Sequence, residues 1–133
     1  VRKFDPTGKD LGLFVGANLV GPTNIWFEEN GDLLVCDYDG GAVRRFDASG
    51  NYLGDFIRGV RQVEGVDFFP NGDILLGDGG ARSVTLFDRQ GRYIRDFVAA
   101  RAGGLLTPNA IVIRALPDPV PTPPEQLTAT VTG

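Results

Sequence analysis

Catalysis by this chain would have to work through carboxylates, amides or a hard metal, because it has no histidine and only one cysteine, Cys36. Ser-His-Asp and Cys-His nucleophile systems cannot be assembled from these residues, and neither can zinc sites built on histidine or several cysteines. Three polar residues stand out by position: Thr23, Glu64 and Asn109 sit at the entrances of short apolar runs and do not repeat one another. If those runs are equivalent strands of successive repeats, the three side chains converge at one end of the fold, where they would form a site for a hard ion or a polar ligand. The alternative use is local, with each side chain satisfying a backbone group at a strand entrance.

The elements that position them come from a repeat. Phe4-Asp5-Pro6-Thr7-Gly8 returns as Phe46-Asp47-Ala48-Ser49-Gly50 and again, 41 residues on, as Phe87-Asp88-Arg89-Gln90-Gly91. Asn30-Gly31-Asp32 returns at the same 41-residue offset as Asn71-Gly72-Asp73. Between these turn signals lie apolar runs of four to six residues rich in β-branched and aromatic side chains, too short for ordinary helices and suited to strands. Each Asn-Gly pair predicts a type I′ hairpin joining the first and second strands of a unit. Asp5, Asp47 and Asp88 predict turns between third and fourth strands, with the carboxylate accepting backbone N–H groups. Fourth strands are expected at residues 11–15, 52–57 and 93–98. Their Phe14, Phe56 and Phe97 would seal one unit against the next.

Four antiparallel strands every 40 or so residues are the blades of a β-propeller, so the expected fold is all-β. Counting strands gives a third and fourth, two complete sets of four, and a lone first strand at 110–114, about two and three quarter blades. A closed ring needs more, so residues 1–114 read as part of a propeller whose remaining blades lie elsewhere in a parent chain, consistent with a start at Val1. Residues 115–124 are proline-rich and read as an extended linker. Residues 125–133 alternate apolar and hydroxyl side chains as a half-buried strand does.

Composition narrows the partners. A net charge of -4 and a pI near 4.7 disfavour nucleic acid, which relies on phosphate attraction. Arg44, Arg45, Arg58, Arg61 and Arg82 suggest a basic face, but strand alternation sends Arg44 and Arg45 to opposite sides. No apolar stretch is long enough to span a bilayer. Cys36, within Leu33-Leu34-Val35-Cys36, has no intrachain partner and is expected to be buried.

The combination Phe-Asp-x-x-Gly, Pro22-Thr23-Asn24-Ile25 and Asn30-Gly31-Asp32-Leu33-Leu34-Val35-Cys36-Asp37 resembles the NHL repeat over residues 1–114, and is similar also to six-bladed lactonase-type propellers. The last ten residues resemble the first strand of a fibronectin type III domain. Propeller repeats, a proline-rich spacer and the lack of a catalytic constellation point to a non-catalytic binding or scaffold module with a protein, small-molecule or carbohydrate ligand and no cofactor. Strings of propeller, linker and fibronectin-like modules imply an extracellular or cell-surface setting. The lactonase likeness implies the alternative, a divalent-cation-dependent hydrolase or lyase in which Glu64 and Asn109 help hold calcium at the channel mouth.

Two further motifs fail on their own spacing. The twelfth position counted from Asp37 is Ala48 rather than the glutamate of an EF-hand, and no Walker lysine follows Gly77-Asp78-Gly79-Gly80. Trp26, between Ile25 and Phe27, reads as blade packing or channel lining in preference to a carbohydrate platform.

Overall fold

The computed structural model describes residues 1–115. The residues expected to form most of the linker and the fibronectin-like strand, 116–133, lie outside the described part. Ten strands follow one another: β1 (Arg2–Phe4), β2 (Asp10–Leu13), β3 (Pro22–Phe27), β4 (Leu33–Asp37), β5 (Ala42–Phe46), β6 (Tyr52–Arg58), β7 (Val63–Phe68), β8 (Ile74–Asp78), β9 (Ser83–Phe87) and β10 (Tyr93–Val98). A single 3₁₀ turn, Ala102–Gly104, is the one helical element among the described residues. All neighbouring strands pair antiparallel in sequence order, giving a half-blade β1-β2 and two four-stranded blades, β3-β4-β5-β6 and β7-β8-β9-β10. The chain is therefore all-β and has the architecture of a partial β-propeller.

Turn chemistry sets these meanders. Asp5 Oδ1 accepts the N–H of Thr7 and Lys9, Asp47 Oδ1 those of Ser49 and Asn51, and Asp88 Oδ1 those of Gln90 and Arg92, so the third-to-fourth strand turns form as expected. The Asn-Gly turns differ from a type I′ pair. Only Gly31 and Gly72 take positive φ, each 89°, while Asn30 and Asn71 do not. The asparagine side chain accounts for the difference: Asn30 Oδ1 accepts the Asp32 N–H at 3.0 Å and Asn71 Oδ1 the Asp73 N–H at 3.0 Å, closing a side-chain turn that holds the asparagine at negative φ.

The core lies between blades. Leu34, Cys36, Val43 and Ile57 of the first blade face Val63, Ile74, Leu76 and Phe87 of the second, with Trp26, Phe56 and Val66 at the margin. Each such aliphatic side chain removed from water contributes about 1.5–3 kcal/mol. On the opposite face of the first blade, Leu33, Val35 and Phe46 pack with Val15, Phe14 and Leu19. Phe14 and Phe56 thus seal each blade against its successor as expected, whereas Phe97 is 43% exposed and tilts against Phe69 of its own blade, ring centroids 6.0 Å apart. Burial pushes the Cys36 thiol up to about 12.

Residues 110–114 do not form the expected strand. No second strand follows them among the described residues, so they lack a ladder and are held from one side only. Ile111 and Ile113 pack on Leu75, Val84 and Leu86, and Asp67 Oδ2 accepts the Ile113 N–H at 2.5 Å. Just upstream, the Pro108 carbonyl presses on Gly77 so closely that a Cβ there would collide with it.

Beneath the first blade's loops lies a buried ion pair. Asp37 has no exposure; its Oδ1 accepts the N–H groups of Val20 and Gly21 at 2.9 and 2.7 Å, and its Oδ2 meets Arg44 Nε at 2.8 Å. Arg44 also reaches Asp55 at 2.9 Å. Burial opposes ionisation of Asp37, but the bonds from Arg44, Gly21 and Val20 outweigh it and hold the carboxyl below its ordinary value of 3.8. A depressed native pKa stabilises the fold above the unfolded value and loses that contribution as pH falls through the native one. Thermal melts should therefore weaken below about pH 4. Asp37→Ala should lose about 3 kcal/mol at neutral pH in denaturant titration and show a flatter acid limb. A second expectation concerns the open faces. Residues 1–114 expressed alone should self-associate through the unpaired edge of β1 and the apolar faces beside it, as read by sedimentation, and a monodisperse, cooperatively melting monomer would contradict the partial-ring architecture.

Candidate functional site

The inner strands β3 and β7 place Thr23 and Glu64 in equivalent positions of adjacent blades, and residues 108–110 lie beside β7 with the backbone of Pro108 and Asn109 against Gly65. Thr23, Glu64 and Asn109 therefore lie in one row across three successive segments. Their chemical states differ. The exposed Thr23 hydroxyl donates to the Val63 carbonyl at 2.9 Å, bridging the two blades, and lies 3.4 Å from the Cys36 carbonyl. Glu64 is half-buried, and its carbonyl accepts from Asn24 Nδ2 at 3.2 Å. Its carboxylate takes no hydrogen bond or ion pair among the described residues. Asn109 is exposed, and its N–H donates to the Thr107 carbonyl at 2.9 Å.

The row offers one carboxylate and one amide to a ligand, since the threonine hydroxyl is already spent on the neighbouring blade. Among the described residues no group of three or more acidic or thiol side chains is gathered to hold an ion. The carboxylate of Asp37, first residue of the rejected calcium loop, points inward to Arg44 and the Val20–Gly21 backbone. Asp78, its counterpart in the second blade, accepts the Ala81 N–H at 2.8 Å.

Three of the five arginines are spent on ion pairs. Arg44 pairs with Asp37 and Asp55, and Arg45, on the other side of β5, pairs with Asp32 at 2.8 Å and Glu28 at 2.6 Å. Arg58 lies 3.5 Å from Asp55. These ion pairs were not anticipated from sequence, although antiparallel register offers the signal: Arg44 stands directly opposite Val35 and Asp55 on its two neighbouring strands. Asn24 and Asp67, which tie one segment to the next, were also missed.

No family model matches the chain, and no curated protein matches it. Solved structures do match. A protein described as a candidate gluconolactonase is 21% identical with a TM-score of 0.59, the match covering 74% of this chain and 34% of that one. A protein of unknown function from Bacteroides caccae is 20% identical with a TM-score of 0.60, over 82% of this chain and 44% of that one. Regucalcin, a calcium-binding protein from Agrobacterium tumefaciens, is 20% identical with a TM-score of 0.51, over 69% and 34%. The likeness is one of fold, the β-propeller, and this chain spans less than half the length of each of these proteins. No helix among the described residues is long and apolar enough to cross a membrane.

The Thr23 bridge is open to direct measurement. Thr23→Val removes the donor while keeping the branched shape, and it should lower stability by about 1 kcal/mol in denaturant titration. Unchanged stability would show that the hydroxyl is not committed to Val63.

Proposed function

We propose that this chain supplies blades to a non-catalytic binding or scaffold propeller of NHL type, within a larger exported protein that continues into a linker and a fibronectin-like module. The observation that supports this is how the recurring polar groups are used. Asp5, Asp47 and Asp88 are spent on turn N–H groups, Asp37 on Arg44 and two backbone donors, and Thr23 on the carbonyl of the next blade. Binding then falls to side chains that the repeat does not require. Its partner would be a protein, small molecule or carbohydrate, and the remaining blades would complete the ring.

A second reading, a cation-dependent lactonase-type enzyme, is favoured by one observation, the Glu64 carboxylate that lacks a partner among the described residues and lies in the same row as Asn109. Both offer hard oxygen donors suited to calcium, and the fold likeness to a candidate gluconolactonase and to regucalcin is compatible with it. In that case Glu64 and Asn109 would hold the ion, which would polarise a substrate carbonyl, and the other ligands would come from other blades.

Calcium separates the two. The binding-module reading expects the melting temperature of the complete propeller to be indifferent to millimolar calcium and expects no lactone hydrolysis. A rise of several degrees, lost in Glu64→Ala, together with lactone hydrolysis would establish the enzyme instead.

A further inference from the structure

Between the two complete blades runs a cleft of about 720 Å³, within the range of small-molecule sites. Trp26 and Phe68 form its aromatic floor, edge to face with ring centroids 5.4 Å apart. Glu28, Arg45 and Arg89 reach it from three different segments. This cleft is where the repeat is broken. At the 41-residue offset Trp26 corresponds to Asp67, Glu28 to Phe69, Arg45 to Leu86 and Arg89 to Ala48. Residues that build the scaffold recur in both blades, while these four do not, and all four meet at one place. In the second blade the matching positions Phe69 and Leu86 instead line, with Arg95 and Phe97, a smaller recess of about 410 Å³, where Phe69 tilts against Phe97 and Arg95 lies over the Phe97 ring at 5.0 Å.

The polar groups of the cleft are also incompletely used. Glu28 Oε2 is buried and 2.6 Å from the Arg45 guanidinium, yet it accepts no well-aligned hydrogen bond. Arg45 spends its Nε on Asp32. Arg89 has no ion pair or hydrogen bond among the described residues. Glu28 and Arg45 neutralise one another, so the cleft offers donors and acceptors side an aromatic surface without a strong excess of one charge.

We propose that this cleft is a saccharide-binding site, with Trp26 stacking on the C–H face of a neutral sugar ring while Glu28 accepts from, and Arg45 and Arg89 donate to, its hydroxyls. A hydroxyl both donates and accepts, which matches a carboxylate set among guanidinium groups, and a ring with one apolar face matches the indole. The proposal rests on the binding-module reading and gives it a ligand class. It uses only the two complete blades and is separate from the row of Thr23, Glu64 and Asn109.

Trp26 is the only tryptophan of the chain, so its fluorescence reports on the cleft directly. Titrating the intact protein with glucose, galactose, N-acetylglucosamine and cellobiose should give a saturable change in emission with at least one of them. Glu28→Gln and Arg89→Ala, checked for an unchanged melt, should each weaken that binding about tenfold. Trp26→Phe, followed by calorimetry, should weaken it as well. An absence of any saturable change with the four sugars, binding that is equal in the variants, or a response confined to an arginine-rich peptide offered as a cationic rival would overturn the proposal. The two readings fail separately: loss of sugar binding removes the cleft site and leaves the non-catalytic module, whereas a sugar both bound at Trp26 and chemically converted keeps the site and removes the non-catalytic reading.

Discussion

A twisted sheet of four strands has two faces and no interior, so every other feature of this fold depends on the apolar contact between neighbouring blades. Leu34, Cys36, Val43 and Ile57 on one sheet and Val63, Ile74, Leu76 and Phe87 on the next make that contact, and it is the largest buried cluster of the described chain. The contact is tightest where the inner strands lie. The cleft floored by Trp26 of β3 and Phe68 of β7 opens at these inner strands and runs outward to Leu53 and Phe56 of β6. The same geometry that buries the core thus creates a recess at its margin, lined by Trp26 and Phe56, which pack on that core, and by polar side chains that do not.

Charge is used differently in the two blades. In the first, Asp37, Arg44 and Asp55 chain together β4, β5 and β6, with Tyr52 donating to Asp55 at 2.6 Å. In the second, the positions one repeat later are Asp78, Thr85 and Asp96, and the guanidinium is replaced by a hydroxyl 3.5 Å from Asp96. A buried carboxylate needs donors whether or not a cation is present, and Asp78 finds one in the Ala81 backbone. The framework therefore tolerates loss of the cation but keeps the aspartate.

The repeat phase made the strands, the antiparallel order and the aspartate turns legible, because period-two apolar runs and turn residues act locally. Asn30 and Asn71 were harder to place, since their side-chain oxygens compete with the backbone for the same N–H groups and change the turn. Residues 110–114 carry a strand pattern, but a ladder needs a partner, and the sequence of one strand cannot supply it. For the candidate site, sequence placed Thr23, Glu64 and Asn109 at the entrances of successive apolar runs. It could not show that Thr23 is committed to Val63, a contact spanning forty residues. The cleft residues are individually visible as departures from the repeat, and Trp26 packs on the core as its position suggests, but that its ring also lines a cleft depends on how the two sheets splay.

The aromatic ring near the end of each fourth strand has a further consequence for how the chain comes together in time. Phe14 lies against Gly50 and Phe56 against Gly91, in each case the turn glycine of the following unit. Phe56 thus has no seat until a turn about 35 residues later has been made. At roughly 5–20 residues per second of synthesis, each blade waits about two to seven seconds with one ring in solvent before its neighbour covers it. Assembly in the cell is consequently directional, and the blade most exposed to mispairing at any moment is the one just completed.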